Sequence, residues 1–172
     1  MATKAQTAVA NATSRNRGAV GANALVPRKV RELIPKGHLV LDFGAGKHAA
    51  HAQALRADGW RLVDAHEFGD NVDPELHLGY YGMEGKAGHY DCVYASNVLN
   101  VQGDRAMMLE TLHQVAYFMH HRAVFICNYP ASPRKSTMKA GEVIHLLESI
   151  FQDVDVVGGN QAPVFVCKGK RG

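Results

Sequence analysis

Residues 40–68 decide the fold of this chain and read VLDFGAGKHAAHAQALRADGWRLVDAHEF. The stretch opens on a short apolar run that ends in a glycine-rich turn, and this pattern predicts a buried parallel strand. The alanine-rich segment Lys47–Asp58 predicts a helix that ends at Gly59. A second apolar run, at residues 60–68, predicts another strand. In an open parallel sheet, ligands bind at the carboxyl ends of the strands, so the glycine turn is the expected site.

The rest of the chain continues the alternation of strands and helices. Helices are predicted at residues 26–34, 104–120 and 138–151, the second of them capped by Asp104. Strands are predicted at residues 90–96, 121–129, 154–159 and 162–169, with a short one near 75–79. Alternation that finishes with two consecutive strands predicts an α/β fold. We expect a single doubly wound Rossmann-like sheet, mostly parallel, with an antiparallel C-terminal strand pair.

Length and composition indicate one globular domain, which we expect over residues 25–172. No run among the 172 residues approaches the roughly 18 apolar residues that a membrane span requires, and no apolar signal-peptide core is present. Cys92, Cys127 and Cys167 are widely spaced within apolar runs, which is typical of buried free thiols in a reducing compartment. We therefore expect a cytoplasmic protein without membrane association.

Basic residues are concentrated at the N-terminus. Residues 1–36 hold seven Lys or Arg and one acid, Glu32, whereas the remaining 136 residues hold 12 bases and 15 acids. Residues 1–24 lack a hydrophobic period, and we expect them to form a flexible basic arm. Such an arm can follow a phosphate backbone or can serve only as a solubilising tail, and the sequence favours neither interpretation.

Three kinds of ligand are considered for the glycine turn. A phosphate-binding loop requires GxxxxGK[ST], but His48 stands where the hydroxyl belongs and Leu41 where the first glycine belongs, so this loop is excluded. A dinucleotide fingerprint is met in its looser form, with Ala49 in the last position, but the carboxylate of Asp42 would repel a pyrophosphate. The third ligand is a cationic nucleoside, and Asp42 then faces an ammonium or sulfonium group.

These motifs resemble those of class I S-adenosylmethionine (SAM) dependent methyltransferases. LDFGAG at residues 41–46 resembles the first family motif, Glu67 stands where the family has its ribose-binding acid, and YDCVYASNVLNV at residues 90–101 resembles the fourth strand and its loop. The resemblance covers residues 37–168. The segments DFGAGK, SNVLNVQ and NYPASPRK are similar to those of small bacteriophage-encoded members.

The resemblance implies a SAM-binding methyltransferase-like domain and a set of cofactor-binding residues. These are Asp42, Phe43, Gly44, Ala45, Gly46, Glu67, Phe68, Asn97 and Val98. The chain departs from the family pattern between Gly69 and Tyr90, where the interval is short. We therefore expect the third strand and its helix to be reduced, which would leave the adenine side of the site more open.

The absence of motifs that mark particular methyltransferase subclasses limits the possible classes of acceptor. A cytosine-C5 enzyme needs a Pro-Cys nucleophile after the fourth strand, and a catechol-type enzyme needs metal-binding acids there, but this chain has SNVLNVQ. Amino-methylating DNA enzymes usually carry [DNS]-P-P-[YFW] at this point, whereas the similar NYP of residues 128–130 follows the next strand. The candidate catalytic residues are Ser96, Asn97 and Asn100. Ligand contact is favoured for Asn97, whereas loop and cap chemistry explains Asn100 and Gln102 equally well.

The loop SPRKSTMK carries Arg134, Lys135 and Lys139 and resembles minor-groove-binding turns. With the basic arm it favours DNA or RNA as acceptor and partner, although a solvated loop explains these charges equally well. The alternatives are methyl transfer to a small molecule or a protein, binding or consumption of SAM without methyl transfer, and plain nucleic-acid binding. No metal site is expected, because His48 and His51 have no carboxylate placed to complete a ligand set.

Overall fold

The computed structural model describes residues 24–130, 136–158 and 162–172. The helices are α1 (Leu25–Leu33), α2 (Ala50–Ala57), α3 (Tyr80–Met83), α4 (Arg105–Phe118) and α5 (Ala140–Ile150). The strands are β1 (Val40–Phe43), β2 (Val63–His66), β3 (Tyr90–Ala95), β4 (Met119–Asn128), β5 (Phe151–Val157) and β6 (Val164–Lys170). Short 3-10 turns occupy Gly69–Asn71 and Leu99–Val101. The basic arm expected at residues 1–24 lies outside the described residues, except for Ala24.

The strands form one sheet in the order β2-β1-β3-β4-β6-β5. β1 pairs in parallel with β2 and with β3, and β3 pairs in parallel with β4. β6 is antiparallel to both β4 and β5. Parallel neighbours need long crossovers, which the helices supply, whereas β5 and β6 need only a short connection. The predicted α/β sheet, mostly parallel with an antiparallel C-terminal strand pair, is confirmed.

Helices cover both faces of the sheet. On one face, α1 and α2 contribute Val26, Val30, Ala52 and Leu55 to a buried core. On the other face, α4 and α5 contribute Met108, Leu112, Val143 and Leu147. Strand residues alternate between the two cores, because successive side chains of a strand point to opposite faces. In β1, Val40 belongs to the first core and Leu41 to the second.

The prediction of a short third strand near residues 75–79 is wrong. The segment instead forms turns along the edge of β2, and a single hydrogen bond from the Leu78 backbone N–H to the Ala65 carbonyl, 2.9 Å, joins it to that strand. Pro74 has no N–H to give to a ladder, and the Asp73 side chain accepts the Glu75 N–H at 2.9 Å. Local side-chain-to-backbone bonds therefore replace the strand pairing.

Several element boundaries also differ from the predicted ones. α2 begins at Ala50 and not at Lys47, because Ala49 adopts the left-handed conformation with φ 46° and extends the glycine turn. The predicted helix 138–151 ends at Ile150, since the buried ring of Phe151 stacks on Phe125 at 5.8 Å and starts β5. The predicted Asp104 cap is present: its Oδ1 accepts the Met107 N–H at 2.9 Å.

Candidate functional site

The candidate site lies at the carboxyl ends of the parallel strands, where the loops after β1, β2 and β3 meet. The backbone N–H groups of Gly44 and Ala45 both donate to the His66 carbonyl, each at 2.9 Å, and join the first two loops. Gly44 also packs against Val98 in the third loop. These contacts bring together the glycine turn, the end of β2 and the loop after β3, as the sequence predicted.

The two glycines of the turn have different surroundings. A Cβ added at Gly44 would lie 2.6 Å from a methyl carbon of Val98, so Gly44 permits the two loops to pack. A Cβ added at Gly46 would meet nothing within 4 Å, so the turn has open space on that side. Both residues have positive φ, 74° and 81°, which favours glycine. Only Gly46 therefore offers close backbone approach to a ligand.

Glu67 fixes the end of β2 to the turn. Its two carboxylate oxygens accept the backbone N–H of Gly46 at 2.6 Å and that of Phe68 at 2.8 Å. Burial raises the pKa of this carboxyl above its usual range, and the two N–H donors act in the opposite direction. Each carboxylate oxygen has further lone-pair capacity, so Glu67 can also accept hydrogen bonds from a ligand.

Asp42 is buried under the turn, with only 1% of its surface exposed. The Tyr94 hydroxyl donates to its Oδ2 at 2.8 Å, and the Ala52 backbone N–H in α2 is a further hydrogen-bond donor. Burial raises the pKa of Asp42 to about 7, and the nearby Glu67 charge adds to this increase. The residue expected to face a cationic ligand is thus enclosed by protein groups, and Tyr94 is a partner that the sequence analysis missed.

Asn97 and Asn128 form a reciprocal amide pair at the same edge of the sheet. The Asn97 backbone N–H donates to Asn128 Oδ1, and Asn128 Nδ2 donates to Asn97 Oδ1, both at 2.8 Å. Asn97 is exposed and has φ 58°, a left-handed conformation that Asn tolerates better than most residues. The sequence analysis discounted NYP at residues 128–130 because of its place in the chain, yet the sheet brings Asn128 beside Asn97.

The other polar residues of the loop after β3 have separate environments. Gln102 is buried, donates to the Val98 carbonyl at 2.9 Å and accepts the Thr111 hydroxyl at 3.0 Å, so it braces the loop. Asn100 Oδ1 is buried, and no described residue donates a hydrogen bond to it. Ser96 is partly exposed beside Asn97.

Two histidines near the turn were not singled out by the sequence analysis. His66 lies among aromatic rings, 5.6 Å from Phe43 and 4.8 Å from Phe68, and burial lowers its pKa to about 4, so it is neutral at pH 7. His77 is buried, and its Nε2 lies 2.7 Å from the Gly46 carbonyl oxygen. No sequence pattern marks either residue, because the packing around the end of β2 places His66 and the path of the chain after β2 places His77.

The basic residues predicted to contact nucleic acid are only partly described. Arg134 and Lys135 lie outside the described residues, whereas Lys139 is exposed immediately before α5. The Thr137 hydroxyl donates to the Gly103 carbonyl at 3.3 Å, which places this segment beside the loop after β3. Lys139 therefore lies close in the chain to a contact with the site loop.

Within the described ranges, no three His, Cys, Asp or Glu side chains are grouped so that they could hold a metal ion. His51 belongs to the buried face of α2, while His48 is exposed in the turn before it. No helix in the described part of the chain is long and apolar enough to span a membrane.

No family model and no curated protein sequence matches this chain. Its fold is similar to that of a TehB-like SAM-dependent methyltransferase from Corynebacterium glutamicum, with a TM-score of 0.62 and 14% identity over 87% of this chain and 90% of that one. A SAM-dependent methyltransferase from Archaeoglobus fulgidus gives a TM-score of 0.62 and 14% identity over 84% of this chain and 93% of that one.

A third similar structure is the 1,6-didemethyltoxoflavin-N1-methyltransferase of Burkholderia thailandensis, solved with 1,6-didemethyltoxoflavin and S-adenosylhomocysteine bound. Its TM-score is 0.61, with 14% identity over 85% of this chain and 77% of that one. At such identities the similarity establishes the fold alone, which this chain shares with these three methyltransferases.

Proposed function

We propose that this chain binds SAM at the carboxyl edge of β1 and β2 and transfers its methyl group to an acceptor held by the loops after β3 and β4. The observation that carries the proposal is the arrangement of Glu67 and Gly46. A buried carboxylate is fixed at 2.6 Å beside a glycine whose Cβ side is open space. This combination suits a nucleoside, whose ribose hydroxyls need acceptors and whose body needs close backbone approach.

The residues around the turn fit SAM. Glu67 would accept hydrogen bonds from the ribose hydroxyl groups, and the backbone of Ala45 and Gly46 would lie along the cofactor. Phe68 and Val98, which are 7% and 8% exposed, supply apolar surface for the adenine side. Asp42, when ionised, would supply negative potential beneath the turn for the cationic end, while Phe43 and Gly44 hold the packing that positions the turn.

SAM supplies an electrophilic methyl group, so the protein's part of the catalysis is mainly alignment. The Asn97–Asn128 pair is suited to that task because the Asn128 side chain restrains both the backbone and the side chain of Asn97. The amide groups and the Ser96 hydroxyl present neutral donors and acceptors at the mouth of the site. We propose that Ser96, Asn97 and Asn100 orient the acceptor, with Asn128 holding Asn97 in place.

We propose nucleic acid as the acceptor. Support comes from the basic residues of the sequence, which are the arm at residues 1–24, Arg134, Lys135 and Lys139. Of these, Lys139 is exposed and lies two positions after Thr137, which contacts the site loop. Phosphate contacts of this kind position a nucleic acid and make binding salt-dependent. We further propose a bacteriophage origin, from the similarity of DFGAGK, SNVLNVQ and NYPASPRK, and a cytoplasmic location, in keeping with the buried free cysteines.

The test is the conversion of SAM, followed by liquid chromatography, in the presence and absence of mixed DNA and RNA. We expect S-adenosylhomocysteine to form only with nucleic acid, and less of it at high salt. Its formation with a small molecule or a protein instead would move the acceptor to that class. A direct SAM titration accompanies the assay: binding without turnover would identify a SAM-binding module, and an absence of binding would overturn the proposal.

A further inference from the structure

The segment that replaces the missing third strand is attached to the glycine turn by the side chain of His77. We call residues 69–79, between β2 and α3, the β2–α3 connector. Within it, His77 is 4% exposed, and its two ring nitrogens make different hydrogen bonds. Nδ1 lies 2.9 Å from the Asp73 backbone nitrogen, and Nε2 lies 2.7 Å from the Gly46 carbonyl oxygen. The ring therefore links the connector to the turn.

The partners determine the tautomer of His77. The Asp73 backbone N–H can only donate, so Nδ1 must be the unprotonated acceptor. The Gly46 carbonyl can only accept, so Nε2 must carry the proton. A neutral imidazole protonated at Nε2 satisfies both contacts at once, and neither of the other protonation states does.

Both backbone polar groups of Gly46 are consequently held by hydrogen bonds. Its N–H donates to Glu67 at 2.6 Å, and its carbonyl accepts from His77 at 2.7 Å. The same carbonyl also accepts the Ala49 N–H at 3.2 Å within the turn, while Gly46, with φ 81°, has no neighbour on its Cβ side to restrict it. The connector is itself joined to the sheet, through the Leu78 N–H and the Ala65 carbonyl. His77 thus adds a link between Gly46 and the sheet to the local bond from Ala49.

We propose that His77 is a positioning residue for cofactor binding, which acts by donating its Nε2 proton to the Gly46 carbonyl. In this chain the hydrogen bond from the connector restrains the glycine turn. An added strand could otherwise supply that restraint. The cofactor part of this proposal rests on the proposed function, whereas the effect on the conformation of Gly46 does not.

Two variants separate the two bonds of His77. In His77→Gln the terminal amide can still donate to the Gly46 carbonyl, but the acceptor for Asp73 is lost. In His77→Asn the shorter side chain can still accept from Asp73, but it no longer reaches Gly46. We expect His77→Asn to accelerate amide hydrogen exchange at Gly46 and to weaken SAM binding, each by about tenfold, and His77→Gln to change each by less than about threefold.

The control is His120→Gln, because His120 pairs with Asp91 at 2.8 Å and belongs to the start of β4, away from the turn. The His120→Gln variant should leave the rate of amide hydrogen exchange at Gly46 and the affinity for SAM unchanged. The proposal is overturned if His77→Gln is as damaging as His77→Asn, since the Asp73 contact would then be the important one. If the wild-type protein binds no SAM, the proposed function fails, and Gly46 exchange still decides the role of His77.

A measurement on the wild-type protein covers the case in which a variant does not fold. Nitrogen-15 NMR of the imidazole distinguishes the two neutral tautomers. We expect His77 to be protonated at Nε2 and unprotonated at Nδ1. Protonation at Nδ1 would contradict the bond to Gly46 and would overturn the proposal.

Discussion

Asn97 and Asn128 are 31 positions apart in the chain and hold each other by two hydrogen bonds of 2.8 Å. Asn97 follows β3 and Asn128 is the last residue of β4, and these adjacent parallel strands have their carboxyl ends aligned by the sheet. Both bonds use the side-chain amide of Asn128, whereas Asn97 contributes its backbone N–H and its Oδ1 and remains exposed. The pair gives the mouth of the site a fixed set of neutral donors and acceptors.

Asn128→Ala should reduce methyl transfer without weakening cofactor binding. The substitution removes both hydrogen bonds to Asn97, so this exposed residue is no longer held in its left-handed conformation. We expect kcat/KM for the acceptor to fall by a factor corresponding to about 1–2 kcal/mol, with the Kd for SAM unchanged. Steady-state kinetics and calorimetric titration measure the two quantities. Equal losses in both would show that Asn128 supports the cofactor site instead.

Glu67→Ala should weaken SAM binding by about 1–3 kcal/mol, because charged hydrogen bonds to the ribose are lost. The matched control is Glu75→Ala, since Glu75 is exposed on the same segment of chain after β2. Calorimetric titration of both variants gives the affinities, and thermal unfolding shows whether each is folded. Unchanged SAM affinity in a folded Glu67→Ala protein would contradict the ribose assignment.

The two glycines of the turn should respond differently to alanine. Gly44→Ala places a Cβ 2.6 Å from Val98 at a φ of 74°, so we expect a loss of about 2–3 kcal/mol in unfolding free energy. Gly46→Ala adds only the strain of its φ of 81°, about 1 kcal/mol, but it places a methyl group in the open space where we put the cofactor.

Denaturant unfolding and SAM titration separate these two effects. Gly46→Ala should lose more SAM affinity than stability, and Gly44→Ala should lose mainly stability. The double variant with Gly44→Ala and Val98→Ala is the control, because removal of the Val98 methyl groups relieves the overlap. No recovery of stability relative to Gly44→Ala would show that backbone strain, and not the contact with Val98, is the cause.

Asp42 should make the protein less stable as the pH rises from about 4 to 7. Its pKa is raised from 3.8 to about 7, so in this range the unfolded chain has lost the proton while the folded chain still holds it. Unfolding therefore becomes easier with rising pH, and this contribution to stability is present in full only below the unfolded pKa. Asp42→Asn lacks the titrating group and can still accept from Tyr94.

We expect the wild-type protein to lose about 2 kcal/mol of unfolding free energy relative to Asp42→Asn between about pH 5 and about pH 8. Denaturant titrations of both proteins at several pH values measure this difference directly. A difference that is constant with pH would mean that Asp42 is already ionised at pH 5 in the folded protein.

Local pattern was sufficient to predict most of the fold. The apolar run before Gly44, the alanine-rich segment after it and the Asp104 cap each depend on residues close together in the chain, and all three gave the expected element. The antiparallel finish was also predictable, since two consecutive strands can pair through a short connection. The prediction of a third strand near residues 75–79 was wrong because Pro74 has no N–H for strand pairing and the residues around it form turns.

The sequence by itself determined that the glycine turn and Glu67 would lie at the same edge of the sheet, because a βαβ unit places the ends of its two strands side by side. Tertiary structure alone decided that Tyr94 lies against Asp42, that Asn128 lies against Asn97, and that His77 reaches Gly46. The physical reason is register. Partners 31 or 52 positions apart are brought together by strand pairing and by the path of a connector, and no local pattern in the chain encodes either of these.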